Sequence, residues 1–336
     1  MVKIGAIGDV IMALPILEAV FEKAPHAEVT WLCGKTVEPL LRRFEKIKEL
    51  VVVDEEKLLK GSLVQRLSAL IKIWLRLLGR RFDLVVTGNA DWRYRLLSAS
   101  VMVKTRRSFD RNQKRPWPIA GRFFGNEYAR LITNIDDGGA PTFKIPEVKW
   151  PLSPALDKKI GNRKGIKLIA IAPGGARNVL RDNALKRWPL ENYRELAGLL
   201  LKSECKVVLV GAPSDEWTVP AFEGMDVVHL VGQTNIVNLV GLLGSCDLVI
   251  THDSGPMHVA VLAGTPLVAL FGPTDPRWFI DDTRKSTRVL WGGENLACRP
   301  CYDGKNFAPC TDNLCLKSIS AGQVYTVAKE MLQRQF

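Results

Sequence analysis

The chain has 336 residues, 47% of them hydrophobic and 24% charged, which fits a globular protein of two ordinary domains and excludes a disordered or fibrous one. Lys and Arg number 47 against 35 Asp and Glu, a net charge of +12, and residues 1–150 hold 26 bases against 17 acids while the remainder holds 21 against 18. A positive field concentrated in the N-terminal half attracts nucleic acid, anionic lipid or a phosphorylated substrate. The opening MVKIGAIGDVIMALPILEAV lacks the basic, apolar and small-residue order of a signal peptide, and no apolar run approaches the roughly 18 residues of a membrane span. The expected location is therefore the cytoplasm, at most peripheral to the inner membrane.

In chain order, Val2–Ile7 predicts a strand, Gly8 and Asp9 a tight turn, and Val10–Lys23 a helix with apolar spacing at Val10, Leu14, Leu17 and Phe21. This is how a doubly wound α/β domain opens. Only Gly5 and Gly8 are present, so the dinucleotide fingerprint lacks its third glycine and a nicotinamide enzyme is disfavoured. Asp9 falls at the carboxyl end of the first strand, where it would serve either as a helix N-cap or as a general base. Further strands are predicted at 29–33, 50–53, 83–87 and 99–103. From Lys57 to Phe82 there are seven Lys or Arg and no acid. There Leu63, Leu67, Leu70, Trp74 and Leu77 share one helix face, with Arg66, Lys72, Arg76 and Arg80 around the other. Two readings stand: a helix lying on anionic lipid, or a domain helix with a solvated basic face. Residues 104–122 form a second basic stretch whose prolines predict a loop. Its bases, Arg106, Arg107, Arg111, Lys114 and Arg115 among them, stand beside Phe109 and Trp117 and would suit nucleic acid or an anionic acceptor.

Glycines and prolines over 138–154 predict an interdomain connection reaching to about residue 165, with domains at 1–155 and 156–318. A strand at 167–172 then runs into Pro173-Gly174-Gly175-Ala176, a turn that brings backbone N–H groups up to an anion. Lys186-Arg187-Trp188-Pro189 opens a helix at 190–202, and a strand at 205–210 precedes a turn carrying Asp215 and Glu216. After a strand at 247–251, Asp253, Ser254 and Gly255 begin a helix that Gly264-Thr265-Pro266 stops before the strand Leu267–Phe271. The start of that helix suits a phosphate or diphosphate, although Asp253 and Ser254 would also serve as plain caps. His258, on its first turns, would face the loop or sit satisfied in the core. Cys298, Cys301, Cys310 and Cys315 close the chain as a candidate Zn or Fe tetrathiolate or as reduced thiols, before a final helix over 319–336.

The run from Asp253 to Pro276 (DSGPMHVAVLAGTPLVALFGPTDP) resembles the signature of the glycosyltransferase family that contains the ADP-heptose:lipopolysaccharide heptosyltransferases. Gly8-Asp9 followed by a small apolar run and Pro15, the Pro173-Gly174 turn, Lys186-x-Trp188-Pro189 and the terminal Cys element occur in the family's order. The resemblance implies a GT-B fold, α/β with two Rossmann-like parallel-sheet domains facing across a cleft, and a last helix crossing back onto the first domain. It implies inverting transfer of a heptose-like sugar from an ADP-linked donor to a lipopolysaccharide core or related glycan, a glycolipid acceptor that is itself anionic. Asp9 would be the base and Lys186 the cation on the departing diphosphate, without a catalytic metal. Gly174, Gly175, Asp253, Ser254, Gly255 and His258 would line the donor site, with Asp215 or Glu216 on the ribose. The basic stretch with Arg106, Arg107, Arg111, Lys114 and Arg115 would hold the acceptor, and the four cysteines a structural metal. A nucleotide-sugar epimerase of the same fold and a basic nucleic-acid-binding protein with a four-cysteine metal module are the alternatives.

Overall fold

The computed structural model describes residues 1–109, 119, 121–135, 142–178, 180–304 and 306–334. The chain divides into two units: Met1–Pro146 with Asn178–Arg181, and Glu147–Arg177 with Asp182–Phe336.

The first unit begins with less strand and more helix than the sequence predicts. Only Val2 pairs, bridging Leu32 on one side and Thr87 on the other, before helix α1 starts at Ile7 (Ile7–Ala13) and α2 follows at Pro15 (Pro15–Lys23). Strand β1 (Val29–Gly34), helix α3 (Glu38–Leu41), β2 (Ile47–Val53), α4 (Glu55–Leu59), α5 (Leu63–Leu77), β3 (Arg81–Thr87), a 3-10 turn (Trp92–Ser98), β4 (Met102–Ser108) and α6 (Phe124–Thr133) complete it. β1 pairs with β2 and β3 with β4, all parallel, so Val2 joins the two halves of one sheet. Val2, Ile4, Leu32, Val51, Val53, Val85, Leu97 and Val101 fill its core against Ile73 and Leu77 of α5. The face expected on α5 divides: Leu77 is buried, Leu70 and Trp74 are half-buried, and Leu63 and Leu67 are exposed. Apolar residues therefore cover more of this helix than the core can cover.

The strand predicted at 99–103 lies further on as β4, so Lys104, Arg106 and Arg107 belong to a strand and not to the expected loop. Residues 110–118 lie outside the described residues.

The second unit takes over at residue 147, ahead of the predicted 155/156 boundary. The Val148 N–H donates to the Leu262 carbonyl at 2.8 Å and Lys149 Nζ to the Ala263 carbonyl at 3.3 Å, which ties the expected connection to this unit. Helix α7 (Pro154–Ile160), β5 (Leu168–Ala172), α8 (Leu190–Lys202), β6 (Lys206–Leu209), a 3-10 segment (Pro213–Phe222), β7 (Val227–His229), α9 (Ile236–Gly244), β8 (Leu248–His252), α10 (Gly255–Leu262), β9 (Leu267–Phe271), β10 (Thr287–Trp291), α11 (Leu314–Lys317) and α12 (Ala321–Gln333) follow. Six parallel strands stand in the order β10-β9-β8-β5-β6-β7. β5, β8 and β9 are buried along their whole length, as strands covered by helices on both faces must be. Val324, Ala328 and Met331 of the last helix, α12, are buried in this unit's own core beside α8.

Candidate functional site

The strand order fixes where a ligand belongs in the second unit. From β5 the chain moves outward to β6 and β7, then returns to place β8 on the other side of β5. Loops leaving the carboxyl ends of β5 and β8 run in opposite directions from that switch point and leave a crevice. The two segments found there are Pro173–Ala176 and Asp253–Gly255. Gly175, at φ +87°, brings its backbone against Ser254, and a side chain there would meet Ser254 Cβ at 3.2 Å. Glycine at this position permits both the backbone turn and the close approach.

Neither Asp253 nor Ser254 caps α10. The Ser254 hydroxyl donates backwards to the His252 carbonyl at 3.1 Å and lies 3.2 Å from Thr251 Oγ1, and no side chain caps the helix start. An added Cβ at Gly255 would meet nothing within 4 Å, so the uncapped first turn borders open space. Asp253 is 5% exposed and holds Lys186 Nζ at 2.7 Å, while its Oδ2 also accepts from Thr274 Oγ1 at 2.7 Å. Burial by itself would raise the Asp253 carboxyl; Lys186, then Thr274 and the nearby His258, outweigh it and hold the group below the ordinary carboxylate range. Lys186 reaches this place from a 3-10 turn (Ala184–Lys186), with its ammonium 5.0 Å from the Phe279 ring centre and 5.5 Å from that of Tyr302. It is a fixed cation with an apolar aromatic backing, beside uncapped helix amides. That combination has the charge to suit an anion. Trp188 is buried and donates to the Ile319 carbonyl at 2.9 Å, the packing role expected of it.

The structure separates Asp215 from Glu216. Asp215 is 4% exposed and its two carboxylate oxygens accept from Gly175 N–H at 2.8 Å and Ala212 N–H at 2.9 Å. It therefore pins the glycine turn after β5 to the turn after β6. Glu216 is exposed beside Gly232, with its carboxylate accessible to a ligand hydroxyl. His258 is buried, with its ring in edge contact with Phe279 at 6.4 Å. Beneath the site, His252 Nδ1 takes the Tyr193 hydroxyl at 2.9 Å, and burial pushes the imidazole down to about 3, so it is neutral.

In the first unit Asp9 lies inside α1 and not at its cap; the cap position is Ala6 and no side-chain cap bond is made. The carboxylate is 45% exposed, and Lys3, buried to 4%, stands 3.7 Å behind it. Burial would strip the Lys3 proton, but Asp9 and Tyr128 outweigh it and keep the ammonium above its ordinary value. Lys3 also donates to the Gly88 carbonyl at 3.3 Å. Asp9 is thus a solvent-facing carboxylate with a permanent cation at its back.

Two acceptor assignments are corrected. Arg106 donates to Ser98 Oγ at 3.0 Å and to the Ser98 and Val101 carbonyls at 3.0 and 3.2 Å. Arg107 donates to the Leu131 and Ile132 carbonyls at 3.1 and 2.6 Å, satisfying the C-terminal end of α6. Both guanidiniums hold the fold. Arg111, Lys114 and Arg115 lie outside the described residues. The tetrathiolate is expected of four cysteines that lie within electrostatic reach of one another, Cys301 of Cys298 and Cys310, and Cys315 of Cys301 and Cys310. Cys298, Cys301, Cys310 and Cys315 are free thiols, and among the described residues no three His, Cys, Asp or Glu gather as a metal site. The Cys310 sulfur accepts from the Asn313 N–H at 3.4 Å and the Cys315 thiol donates to Asn313 Oδ1 at 3.5 Å, so both also brace the turn at Asn313.

Sequence reasoning missed Lys3, Thr274, Phe279, Tyr302 and Arg187, whose Nε donates to the Gly175 carbonyl at 3.0 Å. Thr274 had a signal, because it lies within the Asp253–Pro276 run; the aromatics had none.

A parallel sheet carries an uncapped helix start and a half-buried cation at its switch point, and the other unit presents a cation-backed carboxylate. The chain belongs to glycosyltransferase family 9 (heptosyltransferase), whose model matches residues 70–310. It is a glycosyltransferase of the GT-B fold. It is similar to lipopolysaccharide core heptosyltransferase OpsX of Haemophilus influenzae, 26% identical over 287 residues, 82% of this chain and 78% of that protein. A glycosyl transferase family 9 structure from Veillonella parvula superposes with a TM-score of 0.75 at 23% identity, over 98% of this chain and 95% of that one. The Escherichia coli ADP-heptose lps heptosyltransferase II superposes at 0.69 and 20% identity, over 98% of each.

Proposed function

We propose that this enzyme transfers a heptose-like sugar, with inversion, from an ADP-linked donor to a hydroxyl of the lipopolysaccharide inner core or a related anionic glycan. The observation that carries the reading is the Lys186–Asp253–Thr274 cluster, its lysine the accessible member, beside the uncapped start of α10. As the glycosidic bond breaks, negative charge grows on the diphosphate, and a cation and helix amides already in position stabilise it without reorganising. They fill the part that a divalent ion plays in other transferases. Asp9 takes the proton of the acceptor hydroxyl as that oxygen attacks the anomeric carbon from the face opposite the leaving group. Glu216 accepts from the ribose hydroxyls, and Gly174 and Gly175 bring backbone to the phosphates. The family match and the named relatives support heptose and ADP as the donor parts.

The test has two stages. Thermal-shift titration with ADP, UDP and GDP is expected to show stabilisation by ADP that Lys186→Ala abolishes, because a ligand of the folded state raises Tm. Incubation with ADP-heptose and a core acceptor should then release ADP only when acceptor is present, with the anomeric configuration of the product inverted by NMR. Equal response to all three nucleotides removes the adenine assignment, and ADP-heptose turnover without acceptor favours an epimerase.

A further inference from the structure

Helix α5 carries an apolar surface that the protein does not cover. Leu63, Val64, Leu67, Ile71, Leu75 and Leu78 are each between 42% and 83% exposed, on a helix whose Ile73 and Leu77 already anchor it in the core. At about 100° per residue, Leu63, Leu67, Ile71, Val64 and Leu75 occupy one continuous stripe beside the buried face. Single exposed apolar residues are ordinary, but a contiguous stripe of this kind marks an interaction surface. The 3-10 turn packed on α5, whose Leu96 carbonyl accepts from Trp74 Nε1 at 2.7 Å, adds exposed Trp92 (63%) and Leu96 (39%).

Charge decides what fits it. By the same angular step Lys72 and then Arg76 follow the stripe on its far side, Arg66 stands at the first turn over the buried face, all three are exposed, Arg76 meets Glu49 at 3.5 Å, and no acid occurs from Lys57 to Phe82. A protein partner or a second copy of this chain would have to bring its own acids to that flank, and this stretch offers a second copy none. A bilayer surface brings both parts at once: acyl chains for the stripe and phosphates at the level of the flanking cations, with tryptophan at the boundary. α5 is 15 residues long, and no described helix is long and apolar enough to cross a membrane, so the helix lies on the surface.

We propose that α5 is the docking helix through which the first unit binds an anionic phospholipid bilayer. The inference stands on this surface alone and not on the sugar-transfer reading, so either can fail without the other.

The full chain is centrifuged with vesicles of phosphatidylcholine, alone or mixed with phosphatidylglycerol. Binding is expected to the mixed vesicles, to fall with added salt, and to be much weaker to phosphatidylcholine alone. The double substitution Leu67→Glu with Ile71→Glu should weaken it at least about 100-fold, since two large apolar side chains are withdrawn. Lys72→Ala should weaken it roughly fivefold. These side chains are exposed, so Tm should hold, and turnover of a soluble acceptor should be unchanged; Leu67→Ser with Ile71→Ser repeats the test without added charge. Failure of the wild type to sediment with anionic vesicles overturns the proposal. So does wild-type binding by both double variants, or a concentration-dependent dimer that they dissolve, which would make the stripe a contact between copies.

Discussion

Each unit holds one lysine–carboxylate pair at its candidate site, and the two pairs are built the opposite way round. In Lys3–Asp9 the cation is buried, at 4% exposure, and the carboxylate is 45% exposed at 3.7 Å. In Lys186–Asp253 the carboxylate is buried, at 5%, and the lysine is the more accessible member, at 13% and 2.7 Å. A buried charge needs a partner, but the outward member of a pair is the one a ligand meets. In the proposed reaction the first unit would offer substrate a base and the second a cation. These are the two charges that moving a sugar from a diphosphate to a hydroxyl requires.

Breaking the outward members should separate these roles. Asp9→Asn is expected to lower kcat by about 10²–10⁴-fold while ADP binding and Tm stay near wild type. Lys186→Met should lower kcat by a comparable ~10²–10³-fold but also cost about 3–5 kcal/mol of stability, because it leaves Asp253 buried without its cation. Denaturant unfolding alongside single-turnover kinetics reads both. Adding Asp253→Asn to Lys186→Met should recover stability and not activity; recovery of both would dissolve the distinction.

A smaller effect follows from His252. Its folded value of about 3 lies below the ordinary 6.5, so between those limits the unfolded chain binds the proton and the folded one does not. Stability present above pH 6.5 should then fall with decreasing pH, on the order of 1 kcal/mol per unit, and His252→Gln should flatten that slope in unfolding measured from pH 7 to 4. The smallest contrast lies between neighbours: Glu216→Gln should raise the Kd for ADP roughly tenfold with Tm unchanged, whereas Asp215→Ala should lower Tm by removing the acceptor shared by the Gly175 and Ala212 N–H groups. Equal effects on Tm would cancel the separation drawn between them.

What the sequence disclosed was what short-range pattern encodes. Gly174-Gly175, Lys186 and Asp253-Ser254-Gly255 are local motifs with local reasons, and the structure gathers them at one switch point. It did not disclose which of two adjacent acids meets backbone amides 40 residues earlier in the chain, as Asp215 does with Gly175. Nor does the charge of Arg106 and Arg107 reveal that carbonyls of their own unit receive them. Four cysteines at ligand-like spacing likewise do not disclose that Asn313 braces the turn between two of them. Lys3 is the same case in reverse, an ordinary basic residue near a terminus whose importance comes only from what surrounds it.

The topology of the second sheet carries a consequence for assembly. Thr251 Oγ1 donates to the Ala172 carbonyl across 79 residues of sequence, and Ser254 meets Gly175 over the same span. The two halves of the proposed nucleotide site share no local segment, so no early-formed hairpin or helix pair contains it. Chain closure between β5 and β8 must precede any affinity for the ligand. If the proposed donor site holds, retention on a nucleotide resin therefore reports a domain in which β5 and β8 have met.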